Sequence, residues 1–201
     1  MAAESPVTLL LRTIEAQAPA PAFQWLQAIV TADTFDDATF HGAYAASGRR
    51  LGALAVQART CLLVHACERL PHDLHPPLVR DVFRKGDNDE RVALLRALPS
   101  LPQPERFLET AIEACRTHVQ DVFEAIACEN PFPATYFPAL NFQQMVMKAL
   151  FTGAALTRVH GWAGRVTSDL QRMASDFAAE RAAAGREVPN DVALILQGVN
   201  Q

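Results

Sequence analysis

The sequence predicts an all-α protein, and three observations carry that prediction. Alanine, leucine, arginine and glutamine dominate the periodic segments, and these residues favour helix. No stretch shows the period-of-two, β-branched alternation that a half-buried strand requires. The prolines fall in clusters, and proline cannot continue a helix yet suits its first turn, so each cluster ends one helix and often opens the next.

Taken in order, Pro19 and Pro21 separate helices over 5–17 and 21–31. Helices over 34–46 and 49–70 follow, the second closed by Pro71, and Pro76-Pro77 opens 76–85. Asp87 is placed to N-cap a helix over 88–98. Pro99, Pro102 and Pro104 lead into 104–114 and then 117–128. Pro131, Pro133 and Pro138 precede 138–152, followed by 154–160 and 167–184. Gly185 stops that last segment, and Pro189 begins a final helix over 189–198. Residues 90–98 and 106–115 form one antiparallel pair across a Pro-x-Pro turn, each with an apolar stripe at three- and four-residue spacing. Residues 52–70 and 77–83 form the pair before it. The rhythm therefore points to one all-α domain over 1–201, with stacked antiparallel helix pairs in a HEAT-like right-handed superhelix and N-terminal helices over 1–80. A compact irregular helical bundle is the alternative.

Composition narrows the function. A chain of 201 residues with 50% hydrophobic and 20% charged residues can build a core, which excludes a disordered tail protein. Eighteen basic against 22 acidic residues, with no basic run, argue against nucleic acid as a partner. The start of the chain carries no signal-peptide pattern, and Arg59, Gln57 and His65 interrupt the longest weakly charged segment. A cytoplasmic protein that does not span a membrane is expected. Cys61, Cys67, Cys115 and Cys128 show no disulfide framework and read as reduced, buried thiols. Dinucleotide, phosphate-loop, nucleophile-elbow and zinc-protease motifs are all absent from the sequence.

Four constellations remain. Cys61, His65, Cys67, His72 and His75 could be imagined around a metal, but the spacing fits no known finger and apolar neighbours favour core packing. No metal and no cofactor is expected. Thr117, Asp121, Glu124 and Cys128 share a helix face, where two carboxylates could serve acid/base chemistry or simply meet solvent. Asn141, Gln144 and Lys148 form a polar stripe on the helix after the proline-rich turn. Lys148 lies in apolar company and is expected to neutralise Asp121 or Glu124, with a snorkelling lysine as the structural alternative. Arg172, Asp176, Glu180 and Arg181 read as an exposed charged ridge.

The run Arg116-Thr-His-Val-Gln-Asp-Val-Phe-Glu-Ala-Ile-Ala-Cys-Glu-Asn-Pro-Phe-Pro133, followed by Asn141-Phe-Gln-Gln-Met-Val-Met-Lys-Ala-Leu-Phe151, resembles the EboA family. Val92–Pro99 is similar to that family's central segment and Met173–Arg186 to its closing helix, so the resemblance covers roughly 88–196. Phe177 and Ala178 depart from the tyrosine and the alanine-histidine step that the family favours there. The resemblance implies a place in a bacterial gene cluster, found also in some algae, tied to making or exporting a secondary metabolite. The other products of that cluster resemble a membrane prenyltransferase, a metal-dependent hydrolase, a dehydroquinate-synthase-like enzyme and a sugar-isomerase-like barrel. No reaction comes with it for this chain.

The resulting expectation is a non-catalytic helical binding or adaptor protein whose ligand or partner surface carries Asp121, Glu124, Asn130, Asn141, Gln144 and Lys148. Its partners would be a small-molecule metabolite or other proteins of the cluster, such as the prenyltransferase. The alternative is a pathway enzyme with Asp121 or Glu124 as acid/base and Lys148 as charge partner. A scaffold that docks through Phe132, Tyr136 and Phe137 is a third reading. On the leading reading, alanine at Lys148 or Asn141 is expected to abolish binding and leave the melting temperature unchanged.

Overall fold

A computed structural model describes residues 5–198. The described chain is helical, without strands, and divides into two compact units, one up to Thr110 and one from Ala111 onward. The first unit holds α1 (Pro6–Glu15), α2 (Ala20–Val30), α3 (Asp37–Leu51), α4 (Ala55–Arg69), α5 (His75–Lys85) and α6 (Asn88–Ala97). The division falls within α7 (Leu108–Ala114). The second unit continues with α8 (Gln120–Ala127), α9 (Phe132–Tyr136), α10 (Ala139–Thr152), α11 (Ser168–Ala183) and α12 (Asp191–Gln197).

Helix starts follow local chemistry. Ser5 Oγ accepts from the Val7 amide and Asp36 from the Thr39 amide, which caps α1 and α3. Asp87 and Glu90 form a reciprocal capping box at α6, with bonds of 2.8 and 3.1 Å. Thr167 caps α11 by accepting from the Leu170 amide. At the other end of α11, Gly185 adopts φ +67, the left-handed conformation that suits glycine after a helix.

Three expected elements change. The segment expected over 49–70 is split: α3 runs on to Leu51, Gly52 turns at φ +52, and α4 starts only at Ala55. The helix expected over 154–160 is a 3-10 turn, Leu156–Arg158, because Val159 pairs as an isolated bridge with Cys128 and the Glu129 amide donates to the Arg158 carbonyl at 2.8 Å. Between Pro131 and Pro138, where no helix is expected, α9 forms with Pro131 as its N-cap and Pro133 in its first turn.

In the first unit α4 is central, packed on by α1, α2, α3 and α6. Ten consecutive residues from Ala58 to Cys67 are therefore buried, including the polar Arg59, Thr60 and His65. In the second unit α10 lies against α8 and α11, and α11 against α12. The aromatics Phe132 and Phe137 are buried, with ring centroids 6.3 Å apart. They pack the proline turn, which removes them from a docking surface. The ridge of α11 is exposed, with Arg172 3.7 Å from Asp176.

All four cysteines are free thiols. Burial pushes Cys61, Cys67 and Cys115 up to about 12, and Cys128 also upward. At about pH 8 iodoacetamide is expected to label the native protein at least tenfold more slowly than the urea-unfolded chain, in which thiols return to about 8.5. The folded state keeps protons that the unfolded chain releases, so these groups stabilise fully below about pH 8.5 and lose that contribution as the pH rises toward 12. Denaturant midpoints measured from neutral to alkaline pH should fall in that window.

Candidate functional site

The polar stripe on α10 organises the second unit. Asn141, Gln144 and Lys148 recur at three- and four-residue spacing on one side, while Phe142, Val146, Ala149 and Leu150 are buried. Lys148 Nζ donates to the Cys115 carbonyl at 2.7 Å and to the Thr117 carbonyl, and lies 4.6 Å from the centre of the Phe123 ring. These carbonyls follow the C-terminus of α7, where a cation meets the negative end of the helix dipole. Burial pulls the Lys148 ammonium below the ordinary lysine range.

Two of the three Lys148 N–H groups are committed to these carbonyls, which fixes the segment between α7 and α8. Arg116 and His118, on that segment, thereby share a cleft with Asn141, Gln144 and Lys148. Ile112, Phe137 and Met145 supply its apolar lining, and its volume is about 320 Å3. That combination, an apolar lining with a few converging polar groups, is the usual character of a small-molecule site. The Cys115 thiol also lines the cleft, but a thiol held near 12 is not a nucleophile at neutral pH.

The other three expected site residues lie elsewhere. Asp121 is exposed in the first turn of α8, where a carboxylate favours the helix N-terminus. Glu124 accepts from Gln120 at 2.7 Å and pairs with Arg158, and these bonds hold its carboxyl below the usual carboxylate range. The expected ion pair of Lys148 with Asp121 or Glu124 does not form: Arg158 neutralises Glu124, and backbone carbonyls take the lysine. Asn130 is buried and works on the backbone, donating to the Ala125 carbonyl at 2.9 Å and accepting from the Phe132 amide at 3.0 Å. It closes α8 and starts α9 as an Asx turn.

Two arginines escaped the sequence reading. Arg158 also bridges to Glu129 at 2.7 Å. Arg165 donates to the carbonyls of Pro133, Ala134 and Phe137 and covers the Phe142 ring at 4.3 Å, which ties the end of α9 to α10. Neither belongs to a local motif, so only the contacts reveal them. Arg116 and His118, by contrast, begin the segment 116–133 that resembles the family.

Cys61, His65 and Cys67 sit within buried α4, and His75 Nε2 donates to the Leu70 carbonyl at 3.0 Å. Among the described residues no group of three or more His, Cys, Asp or Glu side chains is placed to hold a metal ion. No helix among them is long and apolar enough to cross a membrane.

Neither curated proteins nor solved structures give a match to this sequence. A family match, described as metabolite traffic protein EboA, spans residues 53–197, most of the chain and further toward the N-terminus than the motifs alone reached. The α7–α8 segment, the asparagine turn and the α10 stripe all fall inside it, and the chain belongs to the EboA family.

Proposed function

We propose that the chain is a non-catalytic metabolite-binding protein and that the cleft of the second unit receives the metabolite. The observation that carries this reading is the convergence of Asn141, Gln144 and the remaining Lys148 N–H with Arg116 and His118 around an apolar lining. The description of the family as one of metabolite traffic fits a metabolite-handling role. The three basic side chains at the cleft, Arg116, His118 and Lys148, favour a ligand with carboxylate or other acceptor oxygens, bound beside an apolar body.

The enzyme alternative is less well supported. A general acid near neutral pH needs a raised carboxyl pKa, whereas Glu124 is held ionised by Gln120 and Arg158 and stands outside the cleft. In the proposed reading the protein works in the cytoplasm, where four free thiols stay reduced, and passes its ligand to other proteins of its pathway, such as a membrane prenyltransferase. Its helix pairs stack in the HEAT-like manner suggested by the sequence rhythm, which lays polar stripes of successive helices side by side.

The test is native mass spectrometry of protein purified from its own host, before and after denaturation. A released organic molecule is expected, reduced about tenfold or more in Asn141→Ala and Gln144→Ala, whose melting temperatures should match the parent. Both side chains are at least partly exposed and make no hydrogen bond or ion pair among the described residues, so they probe binding separately from folding. An unchanged ligand load in both variants sinks the assignment of the cleft.

A further inference from the structure

A second cavity, of about 360 Å3, lies in the first unit beneath the connection between α2 and α3. Trp25 and Ile29 of α2, Phe35, Phe40 of α3 and Leu62 of α4 make its wall apolar, and His65 of α4 also faces it. His65 is 4% exposed, yet it forms no hydrogen bond or ion pair with any described residue. Its ring nitrogens are not sealed in the core as His75 Nδ1 is, so they open where the cavity begins.

A neutral imidazole carries one N–H donor and one acceptor nitrogen. Water in the cavity can serve these nitrogens, so a purely apolar guest that displaces it forfeits hydrogen bonds, whereas a guest with one oxygen in reach of the ring replaces one of them. Burial also holds His65 below the ordinary histidine range, so the ring enters neutral at pH 7. At the rim stands Asp36, whose carboxylate is fixed by the Thr39 amide at 2.7 Å and disfavours an anionic guest. The ring selects for a hydrogen-bonding group, the wall for apolar bulk and the rim against negative charge.

We infer that this cavity is a binding site for a neutral, largely apolar molecule that presents one hydroxyl or carbonyl oxygen to the His65 ring. It is separate from the cleft of the second unit and does not depend on that reading. The preferences of the two sites differ: a ligand rich in acceptor oxygens there, a neutral one with a single polar group here.

The test uses the full chain carrying Trp162→Phe, which leaves Trp25 as the remaining tryptophan. Naphthol, naphthalene and naphthoic acid serve as probes, followed by Trp25 emission and by calorimetry. Naphthol is expected to quench Trp25 and to bind about tenfold more tightly than either companion, the value of one hydrogen bond. That preference should vanish in His65→Leu. Ala28→Phe places a ring at an exposed α2 position lining the cavity and should block all three probes with the core untouched. Absence of quenching by naphthol, equal affinities for naphthol and naphthalene, or full binding in Ala28→Phe overturns the assignment.

Discussion

Arg59→Leu is expected to lower the stability of the first unit by about 3 kcal/mol, the scale for breaking one side of a buried ion pair. Arg59 is almost wholly enclosed in α4, where its Nε donates to the Tyr44 carbonyl at 3.0 Å and its guanidinium lies 5.5 Å from the Tyr44 ring centre. Its other end is 3.8 Å from Glu90, a side chain that also completes the capping box of α6. One cation thus fastens the central helix to α3 and to the start of α6. Leucine would fill much of the space but would leave the Glu90 carboxylate poorly compensated in a largely enclosed place. A double-mutant cycle with Glu90→Gln isolates the charge contribution, and the double variant should recover part of the loss. Urea unfolding followed by circular dichroism is the measurement. A loss below about 1 kcal/mol would put Arg59 in the class of surface pairs.

Lys148→Met is expected to lower both stability and ligand binding. Methionine keeps the reach of the side chain and removes its donors, so the Cys115 and Thr117 carbonyls lose their cation and Phe123 loses the charge over its face. Loss of charge-assisted hydrogen bonds at a part-buried site costs about 2–3 kcal/mol. The segment carrying Arg116 and His118 would then loosen, and the cleft would lose more affinity than a single N–H provides. This revises the expectation that Lys148 can be removed at no cost in melting temperature. Hydrogen exchange is the deciding measurement: protection should fall at the amides between α7 and α8 while the centre of α10 stays protected. Equal protection in parent and variant would show that the lysine does not hold the segment.

Much of the helix order was legible because its causes are local. Asp87, Gly185 and the proline clusters act on the backbone within a turn or two of themselves, so their effects can be read from neighbouring letters. The failures have equally specific reasons. The break at Gly52 carries the same local signal as Gly185, a glycine after basic residues, here Arg49 and Arg50, but the alanines on both sides continue the helical pattern across it. Val159 leaves helix because Cys128, distant in sequence, offers it a bridge.

The same division runs through the candidate cleft. Periodicity placed Asn141, Gln144 and Lys148 on one stripe, since a helix fixes which residues share a face. It also placed Asp121 and Glu124 on a neighbouring stripe, but could not say which cation each would meet. Arg158 reaches Glu124 from 34 residues away, and the carbonyls after α7 reach Lys148 from 31 and 33 residues away. The sequence by itself determined the helical class, most helix positions, the family and the polar stripe, all of which rest on local backbone preference and residue pattern. Only the tertiary structure decided that Lys148 serves a loop, that Asn130 serves a turn and that His65 faces an apolar cavity without a hydrogen-bond partner among the described residues. Those outcomes depend on which distant group first satisfies a buried charge or hydrogen-bonding atom, and that competition is settled by packing in three dimensions.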